Sequence, residues 1–117
     1  MQRIAREGRR IRTTYIEVRV AASPLALSFP EWNGPRVGLI IPRFKHSAVA
    51  RNLVKRRLRE LARLELLPTG LLVDVVLKIR PEAYAATYEN LAVDIALTIA
   101  QLLRWNKEPP VERQAQD

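Results

Sequence analysis

Between Ser47 and Pro68-Thr69-Gly70 the chain carries a stretch whose residues sort by helical phase, and this stretch constrains the fold more than any other. Ser47 is a side-chain acceptor of the N-cap type, and Pro68 with Gly70 ends the periodic run, so a helix is expected from Ala48 to about Leu67. At about 100° per residue, Arg51, Asn52, Lys55, Arg56, Arg59 and Arg63 fall on one arc of about 140°. Ala50, Leu53, Val54, Leu58, Leu61 and Leu64 take the opposite arc. Arg57 falls among the apolar positions and is expected to snorkel outward on its stem. A helix with one apolar face must lay that face on something.

The flanking sequence supplies it. Arg12 to Val20 alternates, with Thr14, Ile16, Val18 and Val20 on one face and Tyr15, Glu17 and Arg19 on the other, the period of a half-buried strand. Ala21 to Pro35 holds Pro24, Pro30, Asn33 and Gly34 and reads as a loop. Arg36 to Pro42 is a second strand ended by its proline. Leu71 to Ile79 is almost continuously apolar, which predicts a central strand buried on both faces, closed by Arg80-Pro81. From about Ala83 to Trp105, Leu91, Ile95, Ile99, Leu102 and Leu103 recur at helical spacing. The order is a basic N-terminal segment, strand, strand, helix, strand, helix: an α/β two-layer sandwich with helices packed on a small sheet. Residues 1–105 are read as one domain and the polar 106–117 as a flexible tail.

Charge gives the first indication of function. The formal net charge of +8 on 117 residues is concentrated: Met1 to Arg19 carries +4, Arg43 to Arg63 carries +7, and the remainder sums to −3. A solvated helix face normally alternates sign, and a block with Glu60 as its one acid does not, so a polyanionic partner is favoured over a merely solvated surface. The absence of cysteine excludes a disulfide framework, a thiolate zinc site and a thiol nucleophile, and a single histidine excludes a two-histidine mechanism. No apolar run approaches the roughly 20 residues of a membrane span, and the N-terminus lacks the apolar stretch of a signal peptide. A small cytoplasmic protein with no membrane and no small-molecule substrate is expected.

Cations at this spacing on one helix face can meet several phosphates at once, Arg through its planar fork and Lys as a point charge. Asn52 can donate and accept, which suits a ribose hydroxyl or a base edge. A major-groove helix would use a similar face, but a strand precedes this helix rather than a short helix–turn–helix partner, so structured RNA fits better than DNA. No carboxylate cluster or base–nucleophile arrangement stands out. Asp74, alone in an apolar run, reads as a strand-end or edge residue rather than a metal ligand. His46 is equally an RNA contact or a turn residue, and Tyr15 equally core or stacking platform.

The run Ala48-Val49-Ala50-Arg51-Asn52-Leu53-Val54-Lys55-Arg56-Arg57-Leu58-Arg59-Glu60 resembles the RNR signature of the bacterial ribonuclease P protein component, roughly AVxRNxxKRxxRE, at every fixed position. Arg36-Val-Gly-Leu-Ile resembles the family's RVGL strand, with Arg43 at a basic position after it. Gly8-Arg9-Arg10 resembles its GRR turn, and Leu72 to Val76, Arg80-Pro81 and the helix after Thr87-Tyr88 resemble its C-terminal half. The resemblance implies an αβββαβα fold with a small mixed sheet and a left-handed crossover, like the second domain of ribosomal protein S5. It implies a subunit that docks on the ribonuclease P RNA and binds the 5′ leader of precursor tRNA, while that RNA and its Mg²⁺ ions carry out the hydrolysis; the protein itself binds no cofactor. By the resemblance Arg51, Asn52, Lys55, Arg56 and Arg59 contact the RNA, flanked by Arg43, Lys45, His46, Arg63, Arg9 and Arg10. The leader cleft lies between sheet and first helix. Met1 and Ala5 stand there where the family usually has Phe, Val18 where it often has an aromatic, and Tyr15 is the aromatic left on that strand; the leading helix is expected to be short. The competing reading is a structural RNA-binding protein such as a ribosomal protein of similar fold, and a free-standing nuclease is a distant third.

Overall fold

A computed structural model describes residues 9–22 and 34–107. Four strands, β1 (Arg9–Arg12), β2 (Ile16–Ala22), β3 (Arg36–Ile40) and β4 (Val73–Ile79), form one sheet in the order β1-β2-β4-β3. The β1–β2 and β2–β4 pairs are antiparallel and β3–β4 is parallel. Helix α1 (Ala48–Leu61) lies between the two parallel strands in sequence, and α2 (Tyr88–Lys107) closes the described chain. The mixed sheet with two helices agrees with the expected sandwich.

Register decides which face is core. Ile16, Val18 and Val20 stand opposite Ile79, Leu77 and Val75, and with Val73 all are essentially inaccessible to solvent. Val54, Leu58 and Leu61 of α1 and Leu91, Ile95 and Leu102 of α2 complete that layer. Burying such side chains is the main favourable term in folding, about 1.5–3 kcal/mol each. The opposite face carries Arg10, Arg12, Glu17, Arg19, Arg36, Asp74, Val76 and Lys78, none of them buried. β4 is therefore central, as expected, but buried on one face: its burial alternates, and the half-exposed Val76 is what gives the sequence its continuous apolar look. Asp74 lies at the strand end, one of its two expected places, and not on an edge strand. It sits in this central strand and takes a bidentate pair from Arg36, Nε to Oδ1 at 2.8 Å and Nη2 to Oδ2 at 2.5 Å. That hydrogen bonding holds the Arg36 guanidinium above its ordinary pKa.

Several boundaries differ from expectation. The Arg12–Val20 strand is in fact a hairpin, because Thr13 turns the chain: its Oγ1 accepts from Ile16 N at 3.2 Å, and Asp94 of α2 accepts from Thr13 Oγ1 and Tyr15 N, both at 2.7 Å. A buried carboxylate on a distant helix thus fixes the corner, and Arg9 and Arg10 lie in a strand rather than a turn. The last helix begins at Tyr88 rather than Ala83. Pro81–Ala85 forms a separate 3₁₀ turn, and Thr87 and Asn90 cap the helix reciprocally, each side chain accepting from the other's backbone N–H. α2 also runs to Lys107, two residues into the stretch assigned to the tail.

α1 starts where the sequence put it, with Ser47 Oγ accepting from Ala50 N at 3.1 Å. Its end is different. Ala62–Leu66 widens into a π turn, followed by a 3₁₀ turn over Leu67–Thr69 and Gly70 at φ 70°, a left-handed position that glycine takes without strain. The wider turn brings Leu66 into the core and leaves Leu64 outside, against its expected place on the apolar arc. Leu53, at the rim of that arc, is also 37% exposed. The leading helix, most of the loop after β2 and residues 108–117 of the tail lie outside the described residues.

Candidate nucleic-acid interface

The basic arc of α1 faces outward as a unit. Asn52, Arg56 and Arg59 are exposed and Lys55 is half-buried, and none of Lys55, Arg56 and Arg59 forms an ion pair among the described residues. Lys55, Arg59 and Arg63 are spaced i, i+4, i+8, so they line one side of a groove between α1 and β3. Val37, Leu39, Ala62 and Leu67 supply its apolar lining, and the cavity measures about 480 Å³. Arg63 is partly neutralised, its Nη2 lying 3.0 Å from Glu60 Oε2.

Two arginines of the helix are tied to backbone carbonyls. Arg51 Nε donates to Ile41 O at 2.8 Å, joining the first turn of α1 to the chain leaving β3. Arg57 does not simply snorkel into solvent. It is half-buried, and its Nη1 donates to Ala86 O at 3.1 Å, satisfying a carbonyl between the 3₁₀ turn and α2.

The turn before α1 holds exposed Arg43, Lys45 and His46, closed by His46 N donating to Arg43 O at 2.8 Å. His46 stacks on Tyr84 with centroids 3.9 Å apart and planes 10° apart. Phe44 stands edge-on to the same ring at 6.4 Å and 87°. Tyr84 is anchored through its hydroxyl, which donates to Pro42 O at 2.6 Å. Phe44 and Tyr84 escaped the sequence reading. The signal was a Phe set between two cations in Arg43-Phe44-Lys45, but its ring partner comes from beyond β4.

Other expected residues fall elsewhere. β1 and β3 are opposite edges of the sheet, so Arg9 and Arg10 lie across it from the β3–α1 edge. The Arg9 guanidinium lies 4.7 Å over the Trp105 ring, and Arg10 and Arg12 both approach Glu17, at 3.7 and 3.6 Å. Val18 is expected at the leader cleft, whose leading helix lies outside the described residues. Its register opposite Leu77 puts it, fully buried, on the helix-covered face, and the residues of β2 that face outward are Glu17 and Arg19. Tyr15 packs half-buried against the core. Met1 and Ala5 lie outside the described residues. Among the described residues no group of three or more His, Cys, Asp or Glu could hold a metal ion, and no helix is long and apolar enough to cross a membrane.

Several known proteins resemble this chain. The sequence profile described as Ribonuclease P matches residues 1–102. The chain is 32% identical over 101 residues to the "Ribonuclease P protein component" of Acidothermus cellulolyticus, covering 85% of this chain and 78% of that one. It is 35% identical over 102 residues to the protein of the same name from Streptomyces avermitilis, covering 84% and 81%. Among solved structures, the RNase P protein of Staphylococcus aureus superposes with a TM-score of 0.62 at 22% identity, covering 80% of this chain and 81% of that one, a likeness of fold.

Proposed function

This chain belongs to the ribonuclease P protein family, and from that premise we propose that it is the RNA-binding subunit of a cytoplasmic ribonucleoprotein that removes the 5′ leader from precursor tRNA. The observation that carries the reading is the α1 face: Lys55, Arg56 and Arg59, turned outward without carboxylate partners among the described residues, beside Arg51 and Asn52. Unpaired cations in register along one helix gain most from a partner that brings phosphates at comparable spacing, because each contact releases condensed counterions. Arg51, held to Ile41 O through Nε, keeps its remaining guanidinium N–H groups for a phosphate.

The division of labour is the one the family membership implies. This surface binds and orients RNA, and the catalytic RNA with its Mg²⁺ ions performs the hydrolysis. The leader then runs over the open face of the sheet, where Arg19 and Lys78 form no ion pair among the described residues. Arg10 sits at the far edge of the sheet from α1 and serves that second surface, whereas Arg9, at the same edge, turns to the helix-covered side over Trp105.

The test is reconstitution. Pre-tRNA cleavage by a bacterial ribonuclease P RNA is measured at low Mg²⁺ with and without the protein. Cleavage restored by the protein is the expected result, and no restoration would remove the reading. RNA recovered with the protein separates the ribosomal alternative: one abundant structured RNA together with pre-tRNA is expected, whereas ribosomal RNA would favour the other reading.

A further inference from the structure

The turn entering α1 is strained at two consecutive residues that are not glycine. Phe44 has φ 50° and Lys45 φ 72°, both in the left-handed region that a bulky side chain rarely adopts. A turn needing only to reverse the chain is better served by Gly or Asn at these positions. Strain kept in place by its surroundings points to what the side chains do there. Here the surroundings are specific: Tyr84 donates to Pro42 O at 2.6 Å, and the Phe44 and His46 rings pack on Tyr84, one edge-on and one face-on. The result is an aromatic corner. Phe44 is 41% exposed and His46 is exposed, with Arg43 and Lys45 on either side.

We propose that this corner is a stacking site for an unpaired RNA base, with the base lying on the exposed Phe44–His46 surface and Arg43 and Lys45 meeting its flanking phosphates. The inference rests on reading the α1 surface as an RNA interface and adds to it a requirement for a single-stranded nucleotide. Aromatic rings interleaved with cations are the chemistry of single-strand binding, since every base has a π-face and every nucleotide a phosphate. A duplex, with its bases already stacked, cannot use the site.

The experiment uses the full chain and a short single-stranded RNA carrying 2-aminopurine, with a duplex of the same length as control. Phe44→Leu keeps apolar bulk and removes the π-face. It is expected to lower affinity for the single strand about tenfold, within the range of one base–aromatic stack, to relieve quenching of 2-aminopurine, and to leave both duplex affinity and the slope of log K against log salt unchanged. Phe44→Trp is expected to retain quenching. Phe44→Gly removes strain and ring together and is expected to raise Tm while affinity falls, a divergence that a purely structural ring would not produce. Wild-type affinity and quenching in Phe44→Leu would overturn the site, and so would equal losses on single strand and duplex. Failure of the underlying reading would register differently, as a salt slope near zero in the wild-type protein.

Discussion

The outward face of α1 and the open face of the sheet carry similar numbers of cations and treat them differently. On the sheet, Arg10 and Arg12 share Glu17 and Arg36 is bidentate with Asp74, so that only Arg19 and Lys78 of that face are without an ion pair among the described residues. On the helix, Lys55, Arg56 and Arg59 have no such partner among the described residues, and Arg63 alone has an acid beside it. A cation already matched to a carboxylate exchanges one partner for another on meeting a phosphate, whereas an unmatched one gains the whole contact. Positive charge is therefore a poor guide to a binding footprint unless its local pairing is known.

The comparison is broken most directly on the helix. Lys55→Ala combined with Arg59→Ala removes two unpaired cations from the groove wall, and the magnitude of the salt slope for RNA binding is expected to fall by about two units, with little loss of stability. Titrations between about 50 and 200 mM salt read this directly. A slope unchanged within error would show that α1 is not the footprint.

Arg51 is the intermediate case, since one of its N–H groups is committed to Ile41 O and the others are not. Arg51→Ala is expected to reduce the slope by about one unit and also to cost about 1 kcal/mol of stability for the orphaned carbonyl and lost packing. Chemical denaturation run beside the binding titration separates the two effects. A slope loss without any stability loss would mean that the Ile41 contact gives way readily to solvent.

How much of the fold and the site is legible in the sequence depends on whether the determining contact is local. α1 can be read because its phase, its Ser47 cap and its Gly70 stop are all carried within the segment. The β1–β2 corner cannot, because Thr13 and Thr14 give no turn signal and the hydrogen bonds that fix the corner come from Asp94, 81 and 79 residues away. Alternation along β2 groups Ile16, Val18 and Val20 on one face but does not say which face the helices cover, and that choice is made by register against β4. Arg57 looks like an intruder on the apolar arc until Ala86 O, 29 residues on, gives it a partner. The π turn after Leu61 moves Leu64 and Leu66 out of their ideal phase. The basic positions of the site are legible because a family motif is local by construction. The aromatic corner is not, because Tyr84 reaches Pro42 only in the folded chain.

The smallest expected effect lies on the sheet, and its smallness is what gives it value. Arg36 is exposed and its guanidinium is occupied by Asp74 through two hydrogen bonds, which raise its pKa further. Arg36→Ala removes a positive charge from the molecule, as Lys55→Ala does, so a footprint governed by net charge alone would lose a comparable share of its slope in both. If pairing decides, Arg36→Ala changes RNA affinity by less than about twofold and leaves the slope unmoved, because the Asp74 carboxylate it uncovers was already offsetting the charge it removes. Measured side by side at one salt concentration and then across the titration, the two single variants set field against pairing. Equal slope losses would mean that the long-range field of the whole chain, rather than the unmatched cations of α1, governs how RNA is held.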